Sequence, residues 1–396
     1  MNILKKAYCR TYQTIFKLAM PFIKYPTQEV FEGNKSLLKL PDYLKEKGYK
    51  RPFLLISNSV LKSSYGSEIV SSLKENVEDI YIFNEVKQNP IFDDINRAKK
   101  LALEFDNDCI IAIGGGSVID SAKALAALLA NKNKQLEDFK GLLKVKKRYS
   151  MLVVSPTTAG SGSETTIASV ITNPTKKDKF AINSPNTMPN VVYLDDELLR
   201  SLPKSVIANT GMDALTHALE AYIGHALTKE TRSCALEAIS LIHKSLYAFY
   251  QNPENEKARS DMLKASYLAG KAFTRSYVGY VHAIAHSLGG YYNVPHGYAN
   301  AVILPNMLKV YGKSINKKLS VLEDMLHIEK GGYIKAVEEL NKSMDIPVKF
   351  TGVIKKEDVH FLAIHASKEG NPLYPVPKEL DVKELMNVIK ELDTTL

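Results

Sequence analysis

The sequence holds no run of 18 or more apolar residues, so no segment is read as a membrane-spanning helix. Cysteine is scarce: Cys9, Cys109 and Cys234 are scattered, form no CxxC pair and neighbour no metal-type spacing. That excludes a disulfide framework and points to a reducing, cytoplasmic setting. Neither HExxH nor GxSxG occurs, which removes support for zinc peptidases and serine hydrolases. Internal repeats, low-complexity tracts and flexible linkers are missing as well. Acidic residues are absent before Glu29, whereas Lys5, Lys6, Arg10, Lys17 and Lys24 are present. Thr11, Gln13, Thr14 and Lys17 interrupt any apolar core there, and no small-residue cleavage site follows, so a secretory signal is not expected. In the same stretch Ile3, Leu4, Tyr8, Tyr12, Ile15, Phe16, Ala19, Met20 and Ile23 recur at helical spacing. Residues 1–28 are therefore read as a basic amphipathic extension. It would pack on the protein's own body or a partner subunit, or lie on an anionic membrane surface. Packing is the preferred reading, because amphipathic helices are ordinary in soluble proteins.

What is present is a chain of 396 residues, 45% of them hydrophobic, enough for two domains with sizeable cores. The formal charge of +9 is dispersed and accompanied by no nucleic-acid-binding motif, so nucleic acid is not expected as a partner. From Pro52 onward strands and helices alternate. Strands are read at 53–56, 80–83, 109–113 and 151–154, and helices at 67–76, 93–105 and 118–130. Near-continuous apolar strands in such an alternation predict a parallel sheet covered on both faces. Beyond Leu202 the strand signals vanish, and 207–223, 231–250, 258–273 and 281–288 read as helices. An α/β half followed by an all-helical half, joined by a short connection, is expected to share a fixed cleft.

Two loops and two histidine-bearing stretches carry the chemistry. Gly114-Gly115-Gly116-Ser117 follows a strand and opens a helix, where glycines admit a phosphate and free N–H groups face it. It is not the GxGxxG fingerprint, because Ile119 stands at the sixth position. A second strand leads into Pro156-Thr157-Thr158-Ala159-Gly160-Ser161-Gly162-Ser163-Glu164, rich in hydroxyls and glycine. Two such loops on neighbouring strand ends suit a pyrophosphate, hence a dinucleotide. Asp213 and His217 are four apart on a helical stretch and share one face. His282, His286 and His296 add up to three imidazoles from a second stretch. Mixed nitrogen and oxygen ligands suit Zn²⁺, Fe²⁺ or a similar first-row ion. His225, His243, His327, His360 and His365 have no spacing partner and are read as structural or surface residues.

Over residues 29–396 the chain resembles the iron-containing (group III) alcohol dehydrogenases. The resemblance rests on Gly114 through Ser117 with Asp120 and Lys123, on Pro156 through Glu164, on Gly211 through Glu220, and on Gly279 through Pro305. It implies a dehydroquinate synthase-like fold. An α/β dinucleotide-binding domain (29–203) precedes an all-α metal-binding and catalytic domain (204–396), with catalysis in the cleft between them. By position, Asp213, His217, His282 and His296 correspond to metal ligands, and His286 to a non-ligand active-site histidine. Gly115, Gly116 and Ser117 correspond to the pyrophosphate loop. Thr157, Thr158, Ser161 and Lys179, with Asn89 and Leu194, correspond to further cofactor contacts. The implied cofactors are Fe²⁺, with Zn²⁺ an alternative, and NADP(H) or NAD(H). The implied partners are a small alcohol or aldehyde and further copies of the chain, in a homodimer or larger assembly.

The sequence departs from the family pattern in two places. NAD-preferring members carry an aspartate at the end of the first strand; Leu54-Leu55-Ile56-Ser57-Asn58 places a neutral amide there. A carboxylate would repel a 2′-phosphate by roughly 1–4 kcal/mol, so Asn58 predicts that NADPH is accepted. The other departure is the basic extension, which the family's usual start lacks. The expected reaction interconverts primary alcohols and aldehydes. Its rivals are a zinc-dependent glycerol-type polyol dehydrogenase, a phosphate-eliminating synthase on a related scaffold, and a membrane-docked or assembly protein with an idle site.

Overall fold

The computed structural model describes residues 1, 3–87, 90–173 and 178–396. The chain forms two compact units, Lys24–Leu202 and a discontinuous one made of Met1–Ile23 with Pro203–Leu396.

The described residues of the first unit form nine strands: β1 (Glu29–Glu32), β2 (Pro52–Ile56), β3 (Tyr81–Phe83), β4 (Cys109–Gly114), β5 (Gly141–Leu142), β6 (Leu152–Pro156), β7 (Ala168–Asn173), β8 (Asp178–Asn183) and β9 (Val191–Leu194). Six of them form one sheet in the order β1-β9-β6-β4-β2-β3, parallel at every pairing. The expected alternation is thus observed, and its register sets Leu54 against Ile111 and Ala112 against Val154. Every residue of β2, β4, β6 and β9 is buried, as continuous apolar runs in a sheet covered on both faces should be. The helix Gly116–Ala130 is buried along most of its length, because its alanines let it lie close on the sheet. Strand order reverses between β2 and β4, so chain direction diverges at the carboxyl ends of those two strands. Such a switch point is where open α/β sheets hold their ligands.

A smaller sheet, β5-β8-β7, was not read from the sequence. Its β7 alternates half-buried and buried residues, the signature of a one-sided strand, and pairs antiparallel with β8. Edge strand β1 was also unread: it is only four residues long and begins and ends in glutamate.

The second unit is helical, with Lys204–Ile223, Lys229–Gln251, Glu256–Ser276, Tyr280–Tyr292, His296–Tyr311, Asn316–Leu326, Tyr333–Ser343, Val359–Gly370 and Val382–Glu391. Among its described residues the only β pairing is the isolated bridge Phe350–Asp393. Lys204–Ile223 is its central rod, buried continuously from Gly211 to Ile223. The next two helices pack on it and on each other. Gly211 makes the approach feasible, since a Cβ there would stand 2.2 Å from Leu246 Cδ1.

Residues 1–23, read from sequence as part of a separate extension, group with this helical unit. They form the helix Ile3–Ala19 and a short turn Met20–Phe22. The expected packing is present, but its face requires correction. The helix is held by Arg10 and Gln13, which bond carbonyls of Pro372, Tyr374, Val376 and Pro377, and by buried Cys9. Ile3, Leu4, Tyr8 and Ile15, expected on the packing side, are exposed. Backbone carbonyls on the body demand donors, and these two polar side chains satisfy them better than aliphatic groups would.

Candidate metal centre and phosphate-binding loops

Asp213 and His217 project from one face of the buried rod Lys204–Ile223. His282 sits in the first turn of Tyr280–Tyr292, and His296 is the first residue of His296–Tyr311. Gly297 lets that last helix start against the rod: a Cβ there would lie 2.2 Å from the Asn209 carbonyl oxygen and 3.3 Å from Asp213 Cβ. One ligand atom from each of Asp213, His217, His282 and His296 falls within 4.8 Å of all the others. From Asp213 Oδ1 the distances are 3.4 Å to His296 Nε2, 3.7 Å to His282 Nε2 and 3.9 Å to His217 Nδ1. A tetrahedron with bonds of ~2.1 Å has edges of roughly 3.4 Å, so these residues fit one divalent ion after a small contraction. Three imidazoles and one carboxylate match Zn²⁺ or Fe²⁺ better than Mg²⁺ or Ca²⁺.

A surrounding set of side chains aims these groups. Glu220 Oε2 lies 2.7 Å from His282 Nδ1 and accepts the Gly279 N–H at 2.7 Å, while Oε1 accepts the Val281 N–H at 2.8 Å. His282 therefore turns Nε2 inward, the tautomeric control usual for metal-ligating imidazoles. Asn300, fully buried, sets its amide nitrogen 2.7 Å from Asp213 Oδ1 and 3.2 Å from both His282 Nε2 and His296 Nε2. Three acceptor atoms thus already converge on one electropositive group, as a cation site requires. Phe273 stacks on His217 with ring centroids 4.1 Å apart.

Burial alone would raise the Asp213 pKa, yet the surrounding imidazoles hold this carboxyl well below the usual range. Burial would lower that of His282, but Asp213 and Glu220, one at each ring nitrogen, lift it to about 9. The centre is thus strongly biased toward an anionic carboxylate facing positive charge.

His286 is outside the four-residue group. Its ring stacks on that of His296 at 5.0 Å, and its Nδ1 lies 2.6 Å from Glu369 Oε1, which also accepts the Tyr374 hydroxyl at 2.7 Å. Burial opposes ionisation of Glu369, but His286 and Tyr374 hold its pKa down.

In the other unit, Gly114 ends β4, Gly115 caps the helix Gly116–Ala130, and Ser117 lies in its first turn. The first N–H groups of that helix have no intrahelical acceptor and point along the chain's approach. The two expected loops touch. Thr157 N–H donates to the Gly114 carbonyl at 3.1 Å. A Cβ on Gly116 would stand 2.9 Å from Ser161 Oγ, and one on Gly115 3.6 Å from Thr158 Oγ1. Behind them Lys123, fully buried, donates to Ser163 Oγ, Thr166 Oγ1 and the Ala168 carbonyl at 3.3, 3.0 and 2.7 Å. Asp120 accepts from Ser163 Oγ and from the Val170 N–H. Burial pushes Lys123 down to about 8 and Glu164 up to about 7. This network explains why Asp120 and Lys123 accompany the glycines: they brace the second loop.

Asn58 begins the short helix after β2, exposed, with Oδ1 accepting the Asn84 amide at 2.8 Å. It flanks the switch point from the β2 side as Gly115 does from the β4 side. Leu194 is buried at the end of β9, and its carbonyl accepts the Gly33 N–H. Asn89 lies outside the described residues. Lys179 is paired through its backbone with Thr172, and its side chain lies outside what is described.

A doubly wound sheet with paired phosphate loops and an aspartate–trihistidine cluster define a metal-dependent, nucleotide-linked oxidoreductase. Residues 26–196 match the model of the iron-containing alcohol dehydrogenases and residues 207–392 that of the family's C-terminal region. The chain is 36% identical over 368 residues to alcohol dehydrogenase 4 of Saccharomyces cerevisiae, covering 91% of this chain and 96% of that one. It is 32% identical over 342 residues to the NADPH-dependent butanol dehydrogenase of Clostridium saccharobutylicum, covering 84% and 86%. The solved alcohol dehydrogenase from Oenococcus oeni superposes with a TM-score of 0.88 at 30% identity, over 93% of this chain and all of that one (100%). The chain belongs to the iron-containing alcohol dehydrogenase family and is an NAD(P)-linked oxidoreductase acting on CH–OH groups.

Proposed function

We propose that the protein interconverts small primary alcohols and aldehydes, with one Fe²⁺ or Zn²⁺ held by Asp213, His217, His282 and His296. The convergence of these four ligand atoms within 4.8 Å carries the reading. When bound, the ion supplies Lewis-acid polarisation of the C–O group and the nicotinamide supplies or accepts the hydride. Glu220 keeps His282 in the ligating tautomer, and Asn300 fixes the Asp213 carboxylate through Oδ1. His286, its Nδ1 engaged by Glu369, keeps Nε2 to take up or deliver the alcohol proton. Gly115, Gly116 and Ser117 cradle the pyrophosphate, with Thr157, Thr158 and Ser161 on the adjoining loop. Neutral Asn58 supports use of NADPH as well as NADH.

An aldehyde panel assayed with NADH and NADPH on Fe²⁺- and Zn²⁺-reconstituted protein tests the assignment. Aldehyde reduction that depends on added metal and disappears in Asp213→Ala together with bound metal is the expected result. Metal-independent turnover would overturn it, and a preference for secondary alcohols oxidised to ketones would instead favour the zinc polyol dehydrogenase.

A further inference from the structure

The segment from Pro372 to Leu380 joins the helices Val359–Gly370 and Val382–Glu391 without regular structure. Three of its residues, Pro372, Pro375 and Pro377, have no N–H to offer. Such a stretch is rich in carbonyls and poor in donors, so its backbone must be held from outside. The helix Ile3–Ala19 supplies donors, with Cys9, Arg10, Gln13 and Phe16 sharing one arc of it. Gln13, only 5% exposed, gives its amide to the carbonyls of Tyr374 at 2.8 Å and Pro372 at 3.3 Å. Arg10 bonds those of Val376 and Pro377 at 2.8 and 3.1 Å. It also donates to Gln13 Oε1 at 3.0 Å, which turns the Gln13 NH₂ group toward the segment. Phe16 meets Tyr277 edge-on at 5.2 Å, and Tyr277 faces Tyr374 with ring centroids 6.3 Å apart. Tyr277 stands at φ +61°, a left-handed conformation that a tyrosine keeps only where its surroundings hold it.

What these contacts hold leads into the active site. Tyr374 donates its hydroxyl to Glu369 Oε1 at 2.7 Å, and the same oxygen lies 2.6 Å from His286 Nδ1. An unbroken chain of contacts therefore runs from Gln13 through Tyr374 and Glu369 to His286. We propose that the helix Ile3–Ala19 is a positioning element of the active site: Gln13 and Phe16 hold Tyr374, and Tyr374 holds Glu369 so that His286 presents Nε2 to the substrate. Gln13 and Phe16 act only through Tyr374 and are positioning residues. The same segment is pinned from the other side by Tyr280, which bonds Asn371 Oδ1 at 2.7 Å and accepts the Leu380 N–H at 2.9 Å. Tyr280 begins the helix that carries His282 and His286, so the segment is clamped between that helix and the N-terminal one. Both regions that match the family, 26–196 and 207–392, leave the N-terminal helix out, so this support comes from a part of the chain that the family match does not cover. The inference rests on the role given to His286 under the proposed function.

The test uses the full-length, Zn²⁺-loaded protein and two readouts, steady-state kinetics and the proton resonance of His286 Nδ1 in protein carrying isotope-labelled histidine. Gln13→Leu should lower kcat at least ~10-fold, because a small displacement of a reacting group is costly. Bound metal should stay stoichiometric and the Kd for NADPH within ~2-fold, since neither site is touched. The His286 resonance, assigned by its loss in His286→Ala, should shift or broaden. In a His286→Ala background Gln13→Leu should lower kcat no further, as expected of residues acting in one chain. Should Gln13→Leu fold poorly, Phe16→Leu, which removes a ring contact and no hydrogen bond, decides the same question with the same signs. Unchanged kcat with an unchanged resonance overturns the proposal, as does a loss that persists in full without His286, which would make the helix a purely stabilising one. If His286→Ala itself leaves kcat intact, the proton-transfer role of His286 falls instead, and a shifted resonance in Gln13→Leu would still uphold the positioning.

Discussion

Glu220 Oε2 and His282 Nδ1 are 2.7 Å apart, and the same carboxylate accepts the N–H groups of Gly279 and Val281 at the start of the helix that carries His282. One side chain therefore aims a metal ligand and caps the element presenting it. Glu220→Gln keeps the shape but replaces one acceptor oxygen with an NH₂ group facing existing donors. Metal affinity, read by competition with a chelator, should fall about 10–100-fold. Unchanged affinity would show that the helix start alone positions the ring.

Gly297 lies against the rod that carries Asp213, at the start of the helix that begins with His296. Gly297→Ala puts a methyl group 2.2 Å from a backbone oxygen that cannot rotate away. The His296 helix must shift, so bound metal should fall to substoichiometric levels and stability should drop by about 1–3 kcal/mol. Metal content by elemental analysis and the denaturation midpoint check both. A full metal complement would mean that the site tolerates a displaced His296.

The ligand set was legible because helical period puts Asp213 and His217 on one face and because histidines, glycines and hydroxyl-rich turns are chemically conspicuous. The residues that aim them were not. Glu220 reads in sequence as one more charged position on a helix, and only burial reveals its role. Glu369 is 83 residues from His286, so no spacing rule connects them. Asn300 did have a signal, four residues after His296 and hence on its face, but an amide is not a metal-ligand type. The amphipathicity of residues 3–19 was plain, whereas the choice of packing face depended on carbonyls at 372–377 that pattern reading does not see. Parallel central strands were readable from continuous apolar runs; β1, with glutamate at both ends, offered no such run.

Asn58 offers a neutral amide at the end of β2, already bonded to Asn84. Asn58→Asp introduces a charge at the position where a carboxylate is expected to repel the 2′-phosphate of NADPH. The expected effect is a loss of kcat/KM for NADPH by about 1–4 kcal/mol, with NADH little changed. Ionic strength should soften it, since the site is exposed. Equal losses for both cofactors would place the 2′-phosphate elsewhere. For the wild-type protein, an NADH preference above ~100-fold, roughly 2.7 kcal/mol, would defeat the reading of Asn58.

His286, held by Glu369 and stacked on His296, is proposed to move a proton rather than bind metal. His286→Ala should therefore lower kcat by about 10²–10⁴-fold and flatten its pH profile while metal content stays stoichiometric. Loss of metal instead would make it a ligand, and an unchanged profile would remove it from proton transfer.

Asp393 ties the segment 352–354 to the last residues of the chain through a carboxylate that gathers four backbone donors. Oδ1 accepts from Gly352 and Thr395 at 2.9 and 3.0 Å, and Oδ2 from Val353 and Ile354 at 2.8 and 2.9 Å. Burial opposes ionisation, yet these N–H groups and the Thr395 hydroxyl hold its pKa at about 2. The folded value lies below the unfolded one of about 3.9, so the stabilisation is fully present above ~pH 4 and is lost as pH falls through ~2. It is worth about 2–3 kcal/mol near neutrality. Asp393→Asn should cost that much at pH 7, because its amide protons would face N–H groups. Thermal midpoints of the two proteins should stay apart down to ~pH 4 and draw together only below it. A gap that persists unchanged at ~pH 3 would mean that the asparagine acts through shape, and that the carboxylate charge contributes nothing there.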